Sequence, residues 1–227
     1  MYKRQIHTFY QADSSDFECS IPLENKLLPW SEYHPVLYQL KAVLHTGDAA
    51  VDECFQSFGV RDFKAGKHHF LVNGEPVFLR GKHDGMIFPL TGYAPMDTEA
   101  WLQVMGTAKD YGINHYRFHT CCPPEAAFRA ADLLGIYLEP ELPFWGTVTS
   151  PSQEGHNEEL QQYLITEGFR ILDTFGNHPS FVMFSLGNEL WGSKEVLNDI
   201  LKAYKAHDKR HLYVQGSNNF QFTPCIL

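Results

Sequence analysis

Residues 113–141 read INHYRFHTCCPPEAAFRAADLLGIYLEPE, and this stretch decides the fold. Residues 113–118 read as a strand. Pro123-Pro124 then starts a helix, because proline's missing N–H costs nothing at the first helical position. Ala127, Ala130, Ala131 and Leu134 fall on one face of that helix, and Gly135 ends it. Ile136-Tyr137-Leu138 is the next strand. Strand, amphipathic helix and strand make a βαβ unit, and such units give a parallel sheet.

The unit repeats on both sides. Upstream, residues 77–80 are an apolar run, and Asp97 caps a helix whose Trp101, Val104, Met105 and Ala108 recur at i, i+3, i+4 and i+7, with Gly112 at its end. Downstream, Asn157 caps a helix with Leu160, Tyr163, Leu164, Ile171, Leu172 and Phe175 inward, closed by Gly176. Residues 181–186 are the fourth strand, and Ser193 caps a helix with Leu197, Ile200, Leu201 and Tyr204 inward. Leu212-Tyr213-Val214 is the fifth strand. An open doubly wound sheet and a closed (β/α)₈ TIM barrel both fit this alternation. No glycine-rich phosphate loop follows the first strand, which argues against dinucleotide binding. Polar side chains follow strand after strand: His83-Asp84, Arg117 and His119, Glu141, Asn188-Glu189 and Gln215. That recurrence suits a barrel, whose chemistry sits at the C-terminal ends of its strands. The reading is an α/β fold comprising about five βα units of an incomplete TIM barrel. A half-closed barrel exposes edges, so the chain is expected either to be a fragment or to self-associate through the open side.

The first 69 residues have a different period. Short apolar stretches around residues 36–44, 51–55 and 58–60 alternate with polar ones, and Pro29, Pro35 and Gly47-Asp48 punctuate them. The alternation predicts half-buried strands of a partial β-sandwich, too short for the ~100 residues of a whole one. A hairpin follows, with Phe70-Leu71-Val72 and Val77-Phe78-Leu79 flanking Asn73-Gly74-Glu75-Pro76. The expected division is 1–69 for the sandwich and 70–227 for the barrel portion.

Composition excludes other classes. The net charge is −9, with no basic footprint for nucleic acid. No apolar run reaches the ~18 residues of a membrane span, and no apolar h-region follows Met1, so no signal peptide is seen. Periplasmic, secreted and cytoplasmic placements all fit. Cys19, Cys54, Cys121, Cys122 and Cys225 are odd in number and include no C-x-x-C pair, so mostly free thiols are expected.

The fourth strand and its loop read His178-Pro179-Ser180-Phe181-Val182-Met183-Phe184-Ser185-Leu186-Gly187-Asn188-Glu189. Other segments stand in order around it: Phe58-Gly59-Val60-Arg61-Asp62-Phe63, then Phe70 to Gly81, Asn114-His115-Tyr116-Arg117, and Leu134 to Glu141. Together, from about residue 29 to 217, they resemble glycoside hydrolase family 2, the group of β-galactosidases, β-glucuronidases and β-mannosidases. In that family the sandwich is immunoglobulin-like, and the fourth-strand segment ends in the acid/base glutamate. The resemblance implies a retaining hydrolase of β-linked glycosides, with Glu189 as acid/base, Asn188 on the sugar 2-hydroxyl, and Arg117 beside the nucleophile, keeping it ionised. The family's nucleophile, a glutamate after the seventh strand, has no place before residue 227. The family often has histidine three places after the arginine; here His119 comes one place early. Lys82-His83-Asp84-Gly85-Met86 stands where β-galactosidases have a longer loop.

Each candidate also has a plainer reading. Asn188-Glu189 can cap a turn. Arg117 can simply pair with Glu141. Glu141 can bind substrate, hold Arg117 or ligate a cation. His83 and Asp84 can contact substrate or shape their loop, and Trp145 and Trp191 can stack on a sugar face or pack. A glycoside or oligosaccharide is the expected partner, without a cofactor or bound metal. Two alternatives remain: a metal-dependent hydrolase on the same barrel, using His83, Asp84, His119 and Glu141, and a non-catalytic carbohydrate-binding fragment.

Overall fold

The structure, a computed structural model, describes residues 6–9, 18–23 and 26–217. Two antiparallel strands lead, β1 (Tyr38–Thr46) and β2 (Ala49–Phe58), turning at Gly47-Asp48. Almost every residue of the pair is exposed. The half-burial expected from their alternation is therefore absent, because β1 and β2 pair only with each other among the described residues. A three-stranded antiparallel sheet follows, ordered β3 (Phe63–Ala65), β4 (Phe70–Val72) and β5 (Glu75–Val77). Asn73 and Gly74 both take positive φ, 54° and 89°, the conformation that matches strand twist in a two-residue hairpin. Val72 pairs directly with Glu75, so the returning strand starts earlier than expected. The run at 77–80 is split as a result: Val77 closes the hairpin, and the first parallel strand begins at Gly81.

From there strands and helices alternate: β6 (Gly81–Asp84), α1 (Thr98–Asp110), β7 (His115–Phe118), α2 (Glu125–Leu134), β8 (Tyr137–Glu139), β9 (Thr147–Val148), α3 (Glu158–Phe175), β10 (Met183–Ser185), β11 (Trp191–Gly192), α4 (Lys194–His207) and β12 (Leu212–Val214). Three of the helices start on a side-chain cap, with Asp97, Asn157 and Ser193 accepting from the N–H of Ala100, Leu160 and Val196. Each such cap is worth about 1 kcal/mol. Gly135 ends α2 at φ 72°, where a Cβ would lie 2.8 Å from the Glu32 backbone; both the turn and the close approach need glycine.

β6, β7 and β8 pair in parallel, as do β10 and β12. The two sets join where Leu138 bridges Phe181, through Leu138 N to Ser180 O at 2.7 Å and Val182 N to Leu138 O at 3.1 Å. Spatial order thus equals chain order, and every strand in the wall is parallel. A doubly wound sheet reverses its order at a switch point; this wall does not. The short β9–β11 ribbon joins the loops that follow β8 and β10.

Two apolar clusters hold the wall. One fills the space between strands and helices, with Trp101, Met105, Tyr116, Phe118, Phe128, Phe184, Tyr204 and Tyr213 at its centre. The other lies under the N-terminal ends of the strands, where Trp30, Phe63 and Val72 meet Tyr137, Val182 and Met183. Trp30 is fully buried and its Nε1 donates to Asp132 O at 2.8 Å; truncating such a side chain costs about 3–5 kcal/mol. Arg61 donates to the carbonyls of Pro179 (2.8 Å), Arg210 (2.6 Å) and Phe181. Burial, then the nearby Arg210 charge, holds its pKa down to about 10. Asp132 accepts from Ser180 N at 3.0 Å and pairs with His178 Nδ1 at 2.6 Å, which gives the His178-Pro179-Ser180 segment its structural task. The upstream residues therefore cover one end of the wall and leave the C-terminal strand ends open.

Candidate active site

Strand alternation decides which side chains meet. Residues paired in register share a face, and His83, Arg117 and Glu139 form one such row. His119 and Glu141 stand two places beyond Arg117 and Glu139 and continue that face past the strand ends. Asp84 pairs in register with Phe118 and so takes the opposite face. There it binds Lys82 Nζ at 2.5 Å and accepts from Met86 N at 2.7 Å, while Lys82 Nζ stands 4.8 Å from the Tyr116 ring centroid. Asp84 is thus placed apart from the other candidates.

Arg117 is the centre of those that converge. Its Nε and Nη2 both lie 2.7 Å from Glu141 Oε1, and Nη2 donates to Asn188 Oδ1 at 2.8 Å. Charge-assisted bonds of this kind are worth about 1.5–3 kcal/mol each. Glu141 is 0% exposed. Burial pushes its pKa up to about 7, against the pull of Arg117 and of the Ser185 hydroxyl. Its second oxygen, Oε2, has no hydrogen-bond partner. Sequence reasoning missed two neighbours. Glu139 is buried and likewise pushed up to about 7, by burial and then by the Glu141 charge. It faces His115 Nε2 at 3.5 Å, and burial with Arg117 holds His115 down to about 4. The signal was present: Glu139 and Glu141 are two apart, so both carboxyls share one face.

The turn after β10 is held from two sides. Gly187 takes φ 142°, and a Cβ there would lie 2.1 Å from Phe144 O. Asn188 N donates to Phe144 O at 3.3 Å, Glu189 N to Ser217 O at 2.8 Å, and Ser217 N to Gly187 O at 3.1 Å. Glu189 itself has φ 51°, a left-handed conformation that costs a non-glycine residue roughly 1–2 kcal/mol. It is half-buried. Its charge raises the His119 pKa, while burial first, then Arg117 and His83, lower it; the net shift is downward.

The His119 ring lies between two others, 4.6 Å from His83 and 5.6 Å from Trp145 between centroids. Trp145 is 61% exposed and Trp191 43%. Trp191 stands on β11, with its N–H donating to Gly146 O at 3.0 Å, beside the loop that carries Trp145. Among the described residues no three His, Cys, Asp or Glu side chains converge as a metal site.

A wall of parallel strands in chain order, with acidic and aromatic side chains at its C-terminal ends, is the architecture of part of a TIM barrel. Residues 63–223 match the TIM barrel domain of the glycosyl hydrolases family 2. The chain belongs to that family. It is 32% identical over 166 residues to a Formosa agariphila protein bearing a β-glucuronidase name, covering 71% of this chain and 19% of that one. A Leuconostoc mesenteroides β-galactosidase is 26% identical over 170 residues, or 74% of this chain and 16% of that one. A glycosyl hydrolase family 2 member from Bacteroides cellulosilyticus superposes with a TM-score of 0.71 at 24% identity, covering 82% of this chain and 24% of that one. The chain spans between 16% and 24% of the length of these proteins.

Proposed function

We propose that these residues are the acid/base side of a retaining β-glycosidase active site, with Glu189 as proton donor. The observation that carries the reading is the Arg117–Glu141–Asn188 network, which secures the Asn188-Glu189 turn at the strand end in a backbone conformation adopted only under constraint. In a retaining hydrolase one carboxyl protonates the leaving oxygen while a carboxylate about 5–5.5 Å away attacks the anomeric carbon. The glycosidic bond breaks, the alcohol leaves with the proton, and a glycosyl ester forms. Glu189, now ionised, takes a proton from water, whose oxygen displaces the ester. Asn188 has its carbonyl oxygen engaged by Arg117, which turns its amide nitrogen to the sugar 2-hydroxyl. Arg117 Nη1 takes no part in these bonds and is assigned to the nucleophile, whose carboxylate it keeps ionised. Trp145 and Trp191 offer exposed rings to a sugar face.

The nucleophile is a second carboxylate outside these 227 residues, and three further βα units complete the barrel. The β1–β2 hairpin belongs to an immunoglobulin-like sandwich. The substrates are β-linked glycosides, since the relatives above carry β-glucuronidase and β-galactosidase names. The test is hydrolysis of a panel of p-nitrophenyl β-glycosides by this chain and by a longer polypeptide that continues through the further units. Turnover is expected only in the longer form. Glu189→Gln lowers it by about 10²–10⁴-fold, and added azide partly restores it. A Glu189→Gln variant with undiminished turnover refutes the assignment.

A further inference from the structure

The segments that follow β8 and β10 run side by side past the ends of their strands. Leu142 N donates to Ser185 O at 3.0 Å, Asn188 N to Phe144 O at 3.3 Å, Trp191 N to Gly146 O at 3.0 Å and Ser193 N to Val148 O at 2.7 Å. Every second residue from Leu142 to Val148 thus bonds the stretch that carries Asn188 and Glu189. The two backbones touch: a Cβ on Gly192 would lie 1.9 Å from Val148 O, as one on Gly187 would lie 2.1 Å from Phe144 O. Residues 142–148 are therefore the template on which the Glu189 turn is laid, and whatever fixes that template fixes the turn.

The far end of the template is tied down by one histidine. Thr149, the next residue, is buried. Its N–H donates to Gln161 Oε1 at 3.3 Å, and its hydroxyl bonds His156 Nδ1 at 3.0 Å. His156 Nε2 bonds Glu158 Oε2 at 2.7 Å, and Glu158 Oε1 accepts from Gln162 Nε2 at 2.9 Å. Glu158, Gln161 and Gln162 belong to the first two turns of α3, whose Ile171 and Leu172 lie in the main apolar cluster. A carboxylate only accepts, so Nε2 carries a proton, and in the neutral ring Nδ1 accepts from the Thr149 hydroxyl. Both ring nitrogens are in use and the side chain is 12% exposed, whereas residues 151–155 before it are all exposed.

Resting on the β-glycosidase reading, we propose that His156 is a positioning residue for the proton transfer: by tying Thr149 to α3 it holds residues 142–148, and through them holds Glu189 at the leaving oxygen. It acts through Thr149 and the backbone ladder rather than on the substrate. Misplacing a reacting group by about 1 Å can cost ~10²-fold. Loss of this kind falls on substrates that need the proton. A methyl glycoside needs it, because methoxide is a poor leaving group. A dinitrophenyl glycoside does not, because its phenolate leaves as a stable anion.

The experiment uses the longer polypeptide that carries the whole barrel. kcat/KM, which reports the first, glycosylation step, is measured for the methyl and dinitrophenyl β-glycosides of one sugar. His156→Phe keeps a ring and removes both nitrogens, Thr149→Val removes only the hydroxyl, and His156→Asn returns a nitrogen to the place of Nδ1. His156→Phe and Thr149→Val are each expected to lose roughly 10–100-fold on the methyl glycoside and less than about threefold on the dinitrophenyl one. His156→Asn is expected to recover most of that loss. Equal losses on the two substrates overturn the proposal, and so does no loss on either. If His156→Phe fails to fold, Thr149→Val decides. Glu189→Gln separates the two levels of failure. If it spares the dinitrophenyl glycoside while the His156 and Thr149 variants lose equally on both, the positioning role alone has failed. If Glu189→Gln itself loses equally on both, or wild type hydrolyses neither, the catalytic reading has failed and the positioning role with it.

Discussion

Replacing Arg117 by methionine tests the network at its centre. Methionine approximates the length of the arginine stem and removes the donors to Glu141 Oε1 and Asn188 Oδ1. The cost depends on pH, because Glu141 is fully buried and has a pKa raised to about 7 in the fold. Its folded value lies above its unfolded one. The stability it contributes is therefore complete below about pH 4.5 and is lost as pH rises through about 7, which amounts to about 3 kcal/mol. Glu139 has the same sign. His115, held down to about 4, has the opposite one, with stability present above about pH 6.5 and lost as pH falls through its folded value. Without Arg117 the Glu141 pKa climbs further. At pH 8 the variant must either hold an unpaired buried carboxylate or take up a proton, at about 3–5 kcal/mol. At pH 5 Glu141 is already protonated in the fold, so the loss shrinks to the hydrogen bonds, about 1–2 kcal/mol. Urea denaturation followed by tryptophan fluorescence reads this directly, since Trp30 and Trp101 are fully buried. Equal losses at the two pH values refute the reasoning. So does an Arg117→Met/Glu141→Gln double variant whose stability depends on pH as steeply as that of the single one.

Gly187→Ala is expected to cost about 2–5 kcal/mol, from strain at φ 142° plus the 2.1 Å approach of its Cβ to Phe144 O, and to shift the Asn188-Glu189 turn; a thermal melt that matches wild type excludes this. Thiol titration at pH 8 is expected to find Cys19 and Cys54 reactive, because both are exposed. Burial pushes Cys121 up to about 11 and Cys122 higher still, so their thiolates are scarce; rapid labelling of either before denaturant is added contradicts that burial.

The wall was legible because its helix boundaries are written locally. Asp97, Asn157, Ser193 and Gly135 stop or start helices by short-range hydrogen bonds and backbone freedom, and each sits where its chemistry predicts. The first parallel strand was misplaced for the converse reason. Gly81-Lys82-His83-Asp84 has no apolar alternation to read, because one face carries His83 at the mouth and the other a Lys82–Asp84 pair. The same alternation separates Asp84 from His83, although they are adjacent in sequence. In β1 and β2 alternation signals a face that could be covered, whereas coverage needs a second sheet, and among the described residues the two strands pair only with each other. At the mouth, the residue types at strand ends were readable. The choice of Oε1 over Oε2 by Arg117, and the isolation of His119 Nδ1, follow from tertiary packing and leave no trace in one chain's letters.

Arg61 has a consequence in time as well as in space. Its three carbonyl partners lie 118, 120 and 149 residues further along the chain. Each bond joins Arg61 to a segment at least 118 residues away, so each closes a long loop across the wall. Interactions made after the transition state slow escape from the fold and leave the rate of reaching it nearly unchanged. Where they close after the transition state, replacing Arg61 is expected to speed unfolding and leave the folding rate nearly unchanged, at the end of the wall opposite the Arg117–Glu141 network.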